Sequence, residues 1–163
     1  MAGTNKSGSL RYLEATPTVD TGAFATGDLI GAAAIALTGA VVGDGATGLE
    51  EHGGYIQSVV VTDLAKQSAN LDVVFFDVDP SNTTFTENDP FDPHDTDILQ
   101  IVGVAAVTDW KAFNDSSVGQ AMNLAIPFVL ENGNNILYAV LVSRGAPTYG
   151  ATDLTLRVGI LDE

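Results

Sequence analysis

The stretch TDLTLRVGILD, residues 152–162, decides the fold class of this chain. Four apolar residues alternate there with Thr155 and Arg157, namely Leu154, Leu156, Val158 and Ile160. A two-residue alternation is the pattern of a β-strand that has one face buried and the other in water. The C-terminal stretch therefore predicts a half-buried strand.

The stretch NNILYAVLVSRG, residues 134–145, is apolar on both faces of the strand that it predicts. One face carries Ile136, Tyr138, Val140 and Val142, and the other carries Leu137, Ala139 and Leu141. Two apolar faces are typical of a central strand. One face can pack inside a sandwich, and we expect the other to lie at an interface with a neighbouring subunit.

Five further runs favour strands, and one favours a helical turn. YIQSVVVTD (55–63) puts Ile56, Ser58, Val60 and Thr62 on one side, whereas LDVVFFDVD (71–79) and DILQIVGVAAV (97–107) read as interior strands. MNLAIPFVLENGNN (122–135) is a strand in which Pro127 indicates an edge or a bulge. TGDLIGAAAIALTGAVV (26–42) predicts one or two strands, because glycines interrupt it, and TDWKAFNDSSVG (108–119) predicts a short helical turn.

Seven or eight strands with almost no helical period predict an all-β fold. We expect a single-domain antiparallel β-sandwich over residues 21–163, jelly-roll-like or immunoglobulin-like, because the pattern does not separate the two. Residues 1–20 are small and polar apart from LRYLEA (10–15), and they predict an extended N-terminal arm. We expect Leu10, Tyr12 and Leu13 of this arm to contact a binding partner.

Charge and composition exclude several classes of protein. The chain has 163 residues, six basic and 21 acidic, and its net charge of -15 repels nucleic acid and anionic lipid. Without cysteine it has neither disulfides nor thiolate zinc sites. We expect no cleavable signal peptide, and the longest apolar stretch, residues 29–42, is too short to span a bilayer.

The stretch GDGATG, residues 43–48, has the G-x-G-x-x-G spacing of a dinucleotide-binding loop. That motif needs a helix whose first N–H groups hold the pyrophosphate. Only four residues separate Gly48 from Gly53, which is about one helical turn, and strand-like residues follow. The stretch therefore predicts a glycine-rich turn between strands.

The segment from Asp77 to Asp97, which we call the acidic segment, holds seven acidic residues and no lysine or arginine. These are Asp77, Asp79, Glu87, Asp89, Asp92, Asp95 and Asp97. Carboxylates of one loop can converge on calcium, but the EF-hand register is absent, so a solvated loop stiffened by prolines is the favoured interpretation. Calcium at this segment is the alternative.

No catalytic constellation is present, and we expect the protein not to be an enzyme. His94 lies between Pro93 and Asp95 without a nucleophile nearby in sequence, and no G-x-S-x-G motif occurs. Trp110, Phe113 and Tyr149 are candidates for a small binding patch, although packing in the core or at an interface is the commoner use of such residues.

Four stretches together resemble a group of small structural proteins of tailed-bacteriophage virions. They are GDLIG (27–31), YIQSVVVTDLAKQSANLDVVFFDVDP (55–80), VGV (102–104) and LYAVLVSRGAPTYGATDLTLRVGILDE (137–163). The resemblance implies a β-rich protein, made in the host cytoplasm, that decorates the outer capsid surface and clamps neighbouring copies of the major capsid protein. We expect a homotrimer without cofactors. A position in the neck, tail or fibre base, and a carbohydrate- or calcium-binding β-sandwich module, are the alternatives.

Overall fold

A computed structural model describes residues 9–41, 52–131 and 133–162, and these form nine strands and one short 3₁₀-helix. The strands are β1 (Ser9–Ala15), β2 (Leu29–Thr38), β3 (His52–Asp63), β4 (Leu71–Phe76), β5 (Ile101–Val107), β6 (Asp109–Ala112), β7 (Ser117–Leu130), β8 (Ile136–Ser143) and β9 (Leu154–Asp162). The 3₁₀-helix, Ile98–Gln100, precedes β5. Within this described part of the chain, no helix has the length and hydropathy needed to cross a bilayer. The GDGATG stretch lies outside the described residues.

The strands form two antiparallel sheets packed face to face, so the predicted all-β sandwich is confirmed. One sheet has the order β1-β9-β3-β7-β6 and the other the order β2-β8-β4-β5. Successive antiparallel pairs are β1 with β9, β2 with β8, β3 with β7 and β4 with β5, as if one long hairpin had been rolled up. This is the topology of a jelly roll, to which β6 adds one short edge strand.

The core lies between the sheets, where the alternating strands place their apolar faces. Leu154, Leu156, Val158 and Ile160 are all fully buried there, as the alternation in residues 152–162 predicts. The inner face of β8 adds Leu137, Ala139 and Leu141. β8 lies between β2 and β4, so the prediction of a central strand is confirmed.

The helical turn predicted within residues 108–119 is wrong, because this stretch forms a hairpin. β6 pairs with the start of β7, and Trp110 packs against the core opposite Gly119. A Cβ atom on Gly119 would lie 2.7 Å from Cε2 of Trp110, so only glycine leaves room for the indole at this position. A helical turn and a strand that enters a turn can both place two aromatic residues three positions apart, so the spacing of Trp110 and Phe113 does not distinguish the two structures.

Two other predictions are wrong, whereas the prediction of one or two strands in the alanine-rich stretch is confirmed. β3 shifts register between Ile56 and Ser58, so Ile56 faces the core with Val59 and Val61, and the predicted shared face of Ile56 and Ser58 is wrong. β5 is an edge strand, whereas β4 is interior as predicted. The alanine-rich stretch gives one strand, β2, with a register shift between Ile30 and Ile35.

Part of the predicted N-terminal arm belongs to the five-stranded sheet. β1 pairs with β9 from Ser9 opposite Asp162 to Ala15 opposite Leu156. The following segment also packs on the sandwich, since Val19 is buried and its N–H donates to the carbonyl of Ala151 at 3.1 Å. Residues 1–8 lie outside the described residues.

Candidate functional site

The acidic segment forms a layer over the outer face of the four-stranded sheet. Phe85 and Phe91 stack with ring centroids 6.4 Å apart and pack against a second apolar cluster. Its buried members are Leu29, Val74, Phe76, Val140 and Val142. The outer face of β8 is therefore covered by the same chain, and the expectation that it lies at a subunit interface is wrong.

Backbone hydrogen bonds fasten this layer to the strand beneath it. Leu29 N–H donates to the carbonyl of Asp89 at 2.9 Å, and Asn88 N–H donates to the carbonyl of Leu29 at 3.2 Å. Phe91 N–H donates to the carbonyl of Gly27 at 3.0 Å. The segment predicted as a solvated loop is thus partly a packed element.

Asp97 organises the acidic segment from a buried position. Its carboxylate accepts hydrogen bonds from Asn82 N–H at 3.0 Å, from Asn82 Nδ2 at 2.8 Å and from Thr83 Oγ1 at 2.7 Å. Burial raises the pKa of the Asp97 carboxyl, but these hydrogen bonds outweigh burial and hold the pKa below its ordinary value of 3.8. Asp97 therefore acts as an anchor for the loop around it.

The described carboxylates do not converge as calcium requires. No group of three or more acidic or histidine side chains could hold a metal ion within residues 9–41, 52–131 and 133–162. Asp89, Asp92 and Asp95 are exposed, while Asp97 is committed to its loop. The geometry gives the calcium alternative no ligand set in this part of the chain.

An open groove of about 440 Å³ runs along the acidic segment. Its lining includes Leu29, Thr84, Asp89, Phe91, His94 and Asp95. His94 is exposed; its Nδ1 accepts a hydrogen bond from Thr96 N–H at 3.2 Å and lies 2.8 Å from Thr96 Oγ1. The groove combines one aromatic ring with hydroxyl and carboxylate oxygens, which are groups that bind polyhydroxylated ligands.

The outer face of the five-stranded sheet, which we call the open face, has a different chemistry. Its register sets Leu10 beside Leu161, Leu161 beside Tyr55, and Tyr55 beside Pro127. The next row runs from Tyr12 across Gly159 and Ser58 to Met122. We define the open-face patch as the apolar residues of these two rows: Leu10, Tyr12, Tyr55, Met122, Pro127 and Leu161.

A glycine at the centre of the open-face patch lets Tyr12 lie close to the sheet. A Cβ atom on Gly159 would collide with Oγ of Ser58 and would lie 3.3 Å from Cε1 of Tyr12. Tyr12 nevertheless stays 62% exposed, as does Leu10. Monomeric proteins rarely leave several large apolar side chains together in water, so such a patch marks a site of association.

Charges on the open face are paired with one another. Arg157 donates to Glu14 at 2.6 Å, and Lys111 donates to Asp109 at 2.6 Å. These two pairs bring two positive and two negative charges to this face. The open face is thus apolar and nearly neutral, whereas the opposite face is covered by a segment with seven acids.

The structure separates the three predicted partner-binding residues. Leu10 and Tyr12 lie on the open face, but Leu13 is only 7% exposed and belongs to the core. The two-residue period of a strand already implies this split, because residues 10 and 12 share a face that residue 13 does not. By the same two-residue period, Leu161 lies on the other face of β9 from the buried Ile160, so the sequence pattern also predicts that Leu161 belongs to the open face.

Trp110, Phe113 and Tyr149 do not form a shared patch. Trp110 packs against the core, and Tyr149 is buried against Phe24 with ring centroids 6.0 Å apart. Burial, together with the Asp63 carboxylate, raises the pKa of Tyr149 above its ordinary value. Phe113 is 58% exposed at the turn between β6 and β7. Two of the three aromatics therefore serve packing.

Comparison with known proteins does not assign this chain to a family. No protein-family model matches the chain, and no curated protein matches it either.

Proposed function

We propose that this protein is a structural protein of a tailed-bacteriophage virion that decorates the capsid. In this proposal the open face binds the major capsid protein on the outside of the shell, and the acidic segment faces the solvent. The observation that carries the proposal is the contrast between the two broad faces of the sandwich. The resemblance of four sequence stretches to small virion proteins supports it.

The open face is large enough for a specific interface. Five strands about 4.8 Å apart and about 30 Å long give an area of about 700 Å², close to the ~800 Å² per partner of a standard interface. An apolar centre surrounded by paired charges is also the usual composition of such an interface. The size and chemistry of this face thus support adhesion to a protein surface.

The acidic layer supports the opposite orientation. Four of its carboxylates are exposed, those of Asp79, Asp89, Asp92 and Asp95, and exposed negative charges raise solubility and repel nucleic acid and other acidic surfaces. On a particle, such a surface keeps neighbouring particles apart. Jelly rolls occur in viral capsid proteins and also in lectins, so the fold is compatible with the proposal without deciding it.

A binding assay with matched variants tests the proposal. Capsid shells that lack this protein are incubated with it and sedimented. Tyr12→Ser should weaken binding about 30-fold, since an aromatic side chain that becomes buried at an interface contributes roughly 2 kcal/mol or more. Phe113→Ser is the control, because Phe113 is similarly exposed but lies outside the open-face patch.

Three outcomes separate the proposal from its alternatives. Wild-type protein that does not sediment with intact shells would contradict capsid decoration. Binding to purified tails or necks instead would favour the other virion positions. Equal weakening by Tyr12→Ser and Phe113→Ser would remove the open face from the proposal.

A carbohydrate-binding module is the second candidate, and the groove on the acidic segment favours it. Phe91 offers a ring face for a sugar, and Thr84 and Asp89 offer oxygen acceptors and a hydroxyl donor. Binding to a glycan array that Phe91→Ala abolishes and Tyr12→Ser leaves unchanged would support this function.

A further inference from the structure

The edge of the open face offers a second kind of contact, through backbone groups. β1 is the last strand of the five-stranded sheet among the described strands. A strand at the edge of a sheet presents N–H and C=O groups that can pair with another extended chain. Leu10 and Tyr12 lie on this same strand.

The other edges are less suited to such pairing. Among the described strands, β7 has no partner beyond Gln120 on the side of β6, but that part contains Pro127 and has positive φ at Asn123 and Ala125. β6 has four residues, of which Asp109 and Lys111 are charged. β2 is interrupted by a register shift between Ile30 and Ile35, and the ladder of β5 is shifted opposite Phe75 and Phe76. Short length, charge and bulges are the features by which proteins protect sheet edges from pairing.

β1 carries two charged residues, Arg11 and Glu14, but both are engaged within the chain, by the carbonyl of Gly39 and by Arg157. Its seven residues stay in unbroken register with β9, and it contains no proline. Among the sheet edges in the described residues, β1 is therefore the one with regular geometry over its whole length. Regular geometry at a single edge is what strand addition requires.

We infer that an extended segment of the major capsid protein adds to the five-stranded sheet alongside β1. The inference rests on the proposed function and specifies how this protein contacts the capsid. The added segment places apolar side chains at alternating positions beside Leu10 and Tyr12. It carries few acidic residues, because the net charge of -15 repels an acidic chain and attracts a basic one.

A second copy of the same chain fits this edge poorly. If β1 paired antiparallel with its copy centred on Tyr12, each Leu10 would face Glu14 of the other chain. A shift that sets Leu10 opposite Tyr12 would put the two Arg11 residues opposite each other, and like charges at such positions are destabilising. Each copy also carries the charge of -15.

Proline substitution tests the inference, because it removes one backbone N–H. N–H groups of successive residues in an antiparallel strand point to opposite sides, so one of Glu14→Pro and Ala15→Pro loses an N–H directed away from β9. That variant should keep the wild-type melting temperature and lose at least about tenfold in affinity for the capsid shells. Glu14→Gln is the control for the lost ion pair with Arg157, and it should bind normally.

Hydrogen exchange gives a readout that does not depend on the proline variants folding. On wild-type protein bound to shells, alternate amides within residues 9–15 should exchange about tenfold more slowly than in the free protein. Unchanged exchange at these amides would overturn strand addition, as would wild-type affinity of the proline variant that keeps its melting temperature.

The two proposals fail in different ways. Loss of binding in Tyr12→Ser with unchanged exchange along β1 would leave capsid decoration standing and remove strand addition. Absence of any wild-type binding to shells would remove both.

Discussion

Replacing Val140 by threonine should destabilise the isolated protein, although the two side chains have nearly the same shape. Val140 is 1% exposed on the outer face of β8, beneath the acidic segment. A hydroxyl placed in that apolar cluster without a partner costs about 1–3 kcal/mol. For a chain of this size, a loss of roughly 2 kcal/mol corresponds to a fall in melting temperature of about 4–8 °C.

The same substitution on the open face provides a matched control. Val60 lies on β3, opposite Arg157 and Gln120, and its side chain is half-buried. Water reaches this position, so Val60→Thr should change the free energy of unfolding by no more than about 0.5 kcal/mol. Urea unfolding followed by circular dichroism measures both variants, and a change in midpoint at constant slope reports stability alone.

Two results would refute the view that the acidic segment is a packed layer. One is a loss at Val140 below about 0.5 kcal/mol, which would mean that water already reaches the outer face of β8. The other is an equal loss at Val140 and Val60, which would mean that the two faces of the sandwich are equally covered.

Four other expectations follow from the geometry. The folded protein lowers the pKa of Asp97, so the contribution of this carboxylate to stability is present above pH 3.8 and is lost as the pH falls through the lowered pKa. The difference in unfolding free energy between wild type and Asp97→Asn should therefore shrink as the pH is lowered, which urea unfolding at a series of acidic pH values measures. Gly119→Ala should cost about 1–3 kcal/mol and change the fluorescence of Trp110, because the added methyl meets the indole. Millimolar calcium should leave the melting temperature unchanged, and a rise that chelation reverses would restore the calcium alternative. Light scattering should give three times the mass of one chain if the predicted homotrimer forms, and a monomer at working concentration would contradict it.

Sequence patterns predicted only part of the open face, which is the proposed binding surface. Leu10 and Tyr12 were predicted as contacts from the LRYLEA stretch, and the structure places both on the open face. Tyr55, Met122 and Pro127 join them only because β3 and β7 lie side by side with β9 in one sheet. Their positions in the sequence are far apart, so no local pattern brings them together.

The sequence by itself determined most of the strands, though not β1 or β6, and, where the pairing is regular, which side chains point inward. The alternation in residues 152–162 is sufficient to predict which side chains of β9 are buried, because a strand with one solvent-exposed face has to place its apolar residues on the other face. The same rule failed in β3, where the register shift after Ile56 reverses the faces. A bulge depends on the partner strand, and the local pattern does not contain that information.

Only the tertiary structure decided the jelly-roll order and the role of the acidic segment. Strand pairs such as β1 with β9 join residues from opposite ends of the chain. Jelly rolls and immunoglobulin-like sandwiches have the same alternation along each strand, so the alternation does not distinguish these two topologies. Phe85 and Phe91 look like isolated apolar residues among carboxylates until β4 and β8 supply the surface on which they pack. Long-range pairing set these features, since their free energy comes from contacts between segments that are distant in sequence.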